Sequence, residues 1–142
     1  MAVPFQVTFD CADPDRQAKF WAQVLGYVEQ PPPEGYEDWP AFLQERGIPE
    51  EEWNSASAIV DPDGRGSRIY FQRVPETKTV KNRVHLDVSV GAGMQGTERR
   101  QRVNQEADRV VTLGAVKLRV ADEQGGYWIV MQDPEGNEFC LQ

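Results

Sequence analysis

Two tracts of this sequence occur twice. Leu25-Gly26-Tyr27-Val28 is echoed by Leu113-Gly114-Ala115-Val116, and Asp61-Pro62-Asp63-Gly64 by Asp133-Pro134-Glu135-Gly136. Each Leu-Gly pair stands where a helical pattern stops, because glycine takes the left-handed conformation that ends a helix. Each Asp-Pro tract reads as a tight turn between two strands. A chain that repeats a helix stop and a hairpin turn in the same order is one supersecondary unit used twice. The matched tracts are unequally spaced because the first half carries an insert and the second half the longer helix.

The elements between these marks repeat as well. In the first half, residues 4–11 alternate as a strand, with Val7 and Phe9 on one face and Gln6, Thr8 and Asp10 on the other. Asp13-Pro14-Asp15 then predicts a helix start running to about Leu25, with Ala18, Trp21, Val24 and Leu25 on its apolar face. A short strand follows at 27–30. An irregular insert spans 31–55, with a short helix expected from Asp38 to Arg46, and strands follow at 56–61 and 67–74. The insert holds Tyr36, Trp39, Phe42, Leu43 and Trp53, which either pack it onto the body or make it a lid.

The second half predicts a strand at 83–90, a helix from about Thr97 to Leu113, and strands at 115–121, 127–132 and 137–142. Val103, Ala107, Val110 and Val111 form that helix's apolar face. Both halves therefore read βαβββ. The expected fold is α+β in one domain, 1–142, with module one at 1–75 (insert included) and module two at 82–142.

Composition narrows the function. A net charge of −8 disfavours nucleic acid and anionic membrane surfaces, since phosphate binding needs a basic patch. No apolar run approaches the length of a membrane span, and no signal peptide is visible at the start, so a cytoplasmic location is expected. Cys11 and Cys140 lack the close spacing of a redox or zinc pair, and reduced thiols are the expectation.

The chemistry-bearing stretch is Asn82-Arg83-Val84-His85-Leu86-Asp87-Val88, which holds the only histidine. Alternation puts Val84, Leu86 and Val88 on one face and His85, Asp87 and Ser89 on the other. A polar strand face is either solvated or looks into a cavity. Asp87 is placed to orient the imidazole or raise its pKa.

Four tracts in this order resemble the vicinal oxygen chelate superfamily (glyoxalase I, extradiol dioxygenases, bleomycin-resistance proteins), and within it the small glyoxalase-like domain proteins. They are Asp10-Cys11-Ala12-Asp13-Pro14 with Phe20-Trp21 and Leu25-Gly26; Tyr70 to Pro75; Lys81 to Asp87; and Asp133 to Cys140. The resemblance implies paired βαβββ modules whose eight strands make a cupped mixed sheet around a pocket, with helices outside. It also implies a divalent metal held from the first and last strand of each module, by His or Gln on the first and Glu or His on the last. Carried over, Gln6 and His85 fall at the first-strand positions, and Gln72 is the nearest candidate on module one's last strand. In module two Cys140 stands where a carboxylate is expected, with Glu138 two residues earlier. The residues name no firm cofactor; zinc, nickel, manganese or iron is what the resemblance allows, with Gln6, His85 and Cys140 as candidate ligands.

Three readings follow. The first is a small-molecule-binding protein whose pocket is lined by Gln6, Thr8, Asp10, Gln72, His85, Asp87 and Trp128. The second is a metal-dependent lyase, isomerase or dioxygenase with His85 and Glu138 as candidate catalytic residues. The third is an antibiotic-sequestering resistance protein. The expected partners are a small-molecule ligand and a second copy of the chain, with neither nucleic acid nor membrane.

Overall fold

A computed structural model describes residues 1–142. The chain forms two compact units, Met1–Thr77 and Lys78–Gln142.

The first unit begins with β1 (Val7–Cys11) and α1 (Pro14–Leu25). Asp13 caps α1, its Oδ1 accepting from Arg16 N at 3.2 Å and from Asn54 Nδ2 at 2.8 Å. Gly26 closes it at φ 70°, as the Leu-Gly signal requires. Then come β2 (Val28–Glu29), α2 (Trp39–Glu45), a 3-10 turn at Glu50–Glu52, β3 (Ala56–Val60) and β4 (Ile69–Arg73). The sheet order is β1-β4-β3-β2, with β1 and β4 parallel and the other pairs antiparallel. α1 lies across β3 and β4. Trp21, Phe71, Ile59 and Ile69 are buried there, and Phe9 sets its ring edge-on to Trp21 and Phe71, with centroids 5.2 and 5.3 Å away.

The insert's aromatics form a cluster of their own, and no residue of α2 is buried. Phe42 meets Tyr36 and Trp39 edge-on, while Arg46 lies over its ring. Trp39 Nε1 donates to Gln30 O at 2.8 Å and Trp53 Nε1 to Ile48 O at 2.9 Å. Asn54 ties the far end of the insert to α1, because its Oδ1 accepts from Asp15 N at 2.8 Å while its amide serves Asp13.

That contact carries a prediction. The Asn54 hydrogen bond is the first cause holding the Asp13 carboxyl below its ordinary 3.8, supported by Arg16. Asp13→Ala is expected to cost about 1 kcal/mol in urea unfolding at pH 7. A group depressed in the folded state stabilises above its unfolded pKa, and the benefit is lost as pH falls through the folded value. The difference between wild type and variant should therefore shrink below pH 4, and a pH-independent difference would count against the capping account.

The second unit holds β5 (Asp87–Val88), α3 (Gly96–Thr112), β6 (Val116–Glu123), β7 (Gly126–Gln132) and β8 (Glu138–Leu141). Its sheet order, β5-β8-β7-β6, has the same form as the first, again with one parallel pair, β5 with β8. The fold is α+β with two four-stranded mixed sheets. Val103, Ala107 and Val110 of α3 are fully buried with Ile129, Met131, Phe139 and Leu141. Val111, expected on the same face, is exposed: positions 103, 107 and 110 lie one above the other on a helix, and 111 falls about 100° beyond 110.

The expected strand at 83–90 is shorter than its alternation suggested. Only Asp87 and Val88 pair in the ladder, and Val84 is 82% exposed instead of facing the core. The reason is Asn82. Its Nδ2 donates to Glu138 O at 3.1 Å and to Val84 O at 2.8 Å, and its Oδ1 accepts from Glu138 N at 3.0 Å. A side-chain amide thus satisfies the backbone groups of β8 that a longer β5 would have used, and the chain bends at 83–84.

Candidate functional site

The second unit gathers three chemistry-bearing side chains. Asp87 and Cys140 are register partners across the parallel β5–β8 pair, so both project from one face. His85 precedes Asp87 by two residues and shares that side; its Nε2 lies 3.2 Å from Asp87 Oδ1. Cys140 N donates to Leu86 O at 3.0 Å, which holds the segment between His85 and Asp87 against β8. The donor atoms of His85, Asp87 and Cys140 all lie within 4.8 Å of one another.

These groups open onto a pocket of about 550 Å³. Leu118, Trp128 and Val130 supply an apolar wall, and Glu138, Arg119 and Lys81 add charge. The bulge between Lys117 and Arg119 shapes the wall: Lys117 pairs with Met131 and Arg119 with Val130, so Leu118 is an extra residue. Both Leu118 and Arg119 consequently reach the pocket. Lys81 Nζ is 2.7 Å from Glu138 Oε2, and Arg119 lies 3.9 Å from Glu123. The His85 and Asp87 side chains remain 44% and 48% exposed, reachable from solvent, whereas Cys140 is 8% exposed.

Burial pushes the Cys140 thiol up to about 11, helped by the charge of Asp87 and by a hydrogen bond to that carboxylate. The thiol is therefore a donor to Asp87 at neutral pH. It lacks the low pKa that marks a nucleophilic cysteine.

The candidates of the first unit have partners within it. Gln6 Oε1 accepts from Arg68 Nη1 at 3.0 Å, while Arg68 Nε donates to Gln30 Oε1 at 2.7 Å and stacks over Tyr70. Gln72 Nε2 donates to Asp10 Oδ1 at 2.7 Å. Register pairing puts Thr8 beside Tyr70 and Asp10 beside Gln72, so the expected polar face exists. The structure brings His85, Asp87, Trp128, Glu138 and Cys140 together in the second unit, and Gln6, Thr8, Asp10 and Gln72 along one face of the first. Sequence reasoning missed Leu118, Arg119, Gln142 and Val130 as pocket residues. The bulge that delivers the first two has no signature in the sequence, and Gln142 follows only from alternation beyond Cys140.

Asn82 is the support on which His85 depends. Asn82→Ala is expected to lower stability by about 1–2 kcal/mol, because it strands both backbone groups of Glu138. It should also broaden or shift the His85 ring signals in NMR spectra; unchanged ring shifts would show that the bend holds without the amide.

A family model for the glyoxalase-like domain matches residues 6–142. The chain belongs to the glyoxalase-like domain family. Solved structures of this fold include a glyoxalase/bleomycin resistance protein/dioxygenase family enzyme from Burkholderia phytofirmans, 17% identical, with a TM-score of 0.60 over 96% of this chain and 94% of that one. The fosfomycin resistance protein FosX of Mesorhizobium loti is 14% identical, with a TM-score of 0.64 over 100% and 91%. A variant of the Listeria monocytogenes FosX, in complex with Mn(II) and a dihydroxypropylphosphonic acid, is 12% identical, with a TM-score of 0.64 over 100% and 90%. At these identities the likeness is one of fold. No curated protein sequence matches the chain.

The metal expected from the resemblance can be tested against the donors present. A hard ion such as Mn²⁺ or Mg²⁺ is served by carboxylate, carbonyl and water oxygens. At the second unit's position this chain offers an imidazole, one carboxylate and a buried thiol. That set does not fit a hard ion. Gln6, the third expected ligand, lies in the first unit with its amide oxygen on Arg68.

Proposed function

We propose that this glyoxalase-like protein binds a small molecule in the pocket of its second unit. The observation that supports it is the apolar wall of Leu118, Trp128 and Val130 in the same pocket as the His85–Asp87 pair. A volume of about 550 Å³ falls within the roughly 300–1,000 Å³ typical of small-molecule sites. The lining suits a ligand with a ring or branched apolar body and an oxygen-bearing end. Trp128 offers the body a flat face, and His85 and Asp87 offer the polar end a donor and an acceptor.

The test is a fragment screen followed by amide chemical shifts, with fosfomycin among the probes because FosX proteins share the fold. Binders should perturb Leu118, Trp128, Val130 and Cys140, and Trp128→Ala should weaken them about tenfold, equal to about 1.4 kcal/mol. Shifts confined to other surfaces, or a Trp128→Ala protein that binds as well as wild type, would sink the reading. Tight binding of an antibiotic returned chemically unchanged would favour sequestration among the ligand roles.

A second reading, a metal-dependent lyase, isomerase or dioxygenase, is favoured by the approach of His85, Asp87 and Cys140. It requires turnover that a chelator abolishes and a divalent ion restores.

A further inference from the structure

We propose, resting on the small-molecule reading above, that the ligand of the second-unit pocket is a carboxylic acid lying across the strands. Its carboxylate meets Arg119, its body covers Val130 and Cys140, and an uncharged polar group at its far end meets His85 and Asp87.

The register supplies the direction. Arg119 stands opposite Val130, Val130 opposite Cys140, and Cys140 opposite Asp87. One transverse row of the sheet therefore runs from a cation at its β6 end, over two uncharged side chains, to a carboxylate at its β5 end. Neighbouring strands lie about 4.8 Å apart, so the backbones of Arg119 and Asp87 are about 14 Å apart. An anionic group is attracted at the first end and repelled at the second, which fixes the orientation of a ligand that fills the row.

The bulge is what brings the cation to this face. Side chains alternate along a strand, so without the extra residue position 119 would share the face of Lys117. Lys117 pairs with Met131, which is buried with α3 on the side away from the pocket. Leu118 shifts the alternation by one and turns Arg119 to the side of Val130.

Arg119 is also open to exchange. Its carboxylate neighbour is Glu123, 3.9 Å away, and both side chains are more than half exposed. Such a pair contributes little, whereas a guanidinium takes a ligand carboxylate through two parallel hydrogen bonds. Lys81 does not compete, because Glu138 holds it at 2.7 Å. Trp128 leaves the row clear: its indole leans along β7 over Gly126, where a Cβ would meet Cζ3 at 2.9 Å. Asp87 keeps acceptor capacity for the far end of the ligand, since a carboxylate offers about four lone-pair sites and only His85 and Cys140 draw on them.

The experiment compares 4-acetamidophenylacetate with its neutral amide, 4-acetamidophenylacetamide, by amide chemical shifts of the full-length protein at pH 7. The acid should bind about tenfold more tightly and move Arg119, Val130 and Cys140. Arg119→Gln should erase that preference, weakening the acid about tenfold and the amide by less than about twofold. The amide thereby reports that the variant's pocket is intact. Glu123→Gln frees the guanidinium and should strengthen the acid alone. Equal binding of acid and amide by wild type overturns the proposal, as does an acid preference that survives Arg119→Gln. In either case an amide that still moves Trp128 and Val130 leaves the pocket itself standing as a ligand site. If neither probe moves a pocket residue while neutral fragments do, the proposal is overturned and the pocket again stands; if no fragment does, both are lost.

Discussion

Iodoacetamide at pH 8 is expected to alkylate Cys140 of the metal-free protein at least tenfold more slowly than an unburied peptide thiol. The thiol stands at about 11 against an ordinary 9.0, so at pH 8 its thiolate fraction is about a hundredfold lower. A more basic thiolate is a better nucleophile, which returns nearly a factor of ten over two pKa units. Access removes more, because Cys140 is 8% exposed. The sign follows from the cause: burial and the Asp87 carboxylate both disfavour the anion, so reactivity should climb with pH and level only near 11.

Peptide mapping separates Cys140 from Cys11, which is also buried. Asp87→Asn removes a neighbouring charge but leaves the burial, and should therefore raise the rate without matching the peptide. Fast alkylation at pH 8 would mean an activated thiol and would reopen nucleophilic chemistry at this position. As the structure stands, burial and the Asp87 carboxylate outweigh the opposing charge of Arg119, so the surroundings of the thiol disfavour its ionisation, whereas an activating base would promote it.

The parts of the fold that were legible are those whose physics is local. Asp13-Pro14 and Gly26 mark both ends of α1 through capping and left-handed backbone, which depend only on neighbouring residues. The repeated Leu-Gly and Asp-Pro tracts foretold a βαβββ unit used twice, and the two four-stranded sheets share one form of strand order because a duplicated unit keeps its connections. His85 and Asp87 could be read as sharing a strand face, being two residues apart.

What was not legible depends on pairing across the chain. Asp87 meets Cys140 only because β5 and β8 run parallel in one register, so the set of three donors could not be assembled from spacing. The bulge at Leu118 is a property of the β6–β7 ladder, and without it Arg119 carries no mark of a pocket residue. Alternation at 84–88 overestimated β5 because Asn82, whose amide closes off the ladder, looked like one more polar residue in a connection.

Asp133→Ala is expected to cost about 3–4 kcal/mol in urea unfolding, a large part of the roughly 5–15 kcal/mol that stabilises an ordinary domain. Asp133 is 2% exposed, and its carboxylate is the hub of the turn before β8. Oδ1 accepts from Glu135 N and Asn137 N, both at 2.9 Å, and Oδ2 from Asn137 Nδ2 at 2.9 Å. Its backbone closes the same turn, with N donating to Asn137 O at 2.8 Å and O accepting from Gly136 N at 3.0 Å. Alanine would take the acceptor from three half-buried donors and leave a small void where the buried carboxylate stood, and the stated cost is the sum of those losses. Asp133→Asn keeps an acceptor for the two backbone N–H groups but can turn an amide against Asn137 Nδ2, so it should lose about half as much.

The echoing tract provides the control. Asp61 makes three similar bonds, to Asp63 N at 2.9 Å, Arg65 N at 3.0 Å and Gly66 N at 2.7 Å, but its carboxylate is solvated. Water can replace it there, so Asp61→Ala should be the milder of two chemically matched substitutions. Equal losses at the two positions would show that the turn's hydrogen bonds, rather than their burial, set the energy. The difference also bears on the pocket, because the Asp133 turn delivers Glu138 and Cys140 while the Asp61 turn delivers β4 of the other unit. Disorder of the second turn should appear first as altered amide shifts at Cys140 and its partner Asp87, before global unfolding.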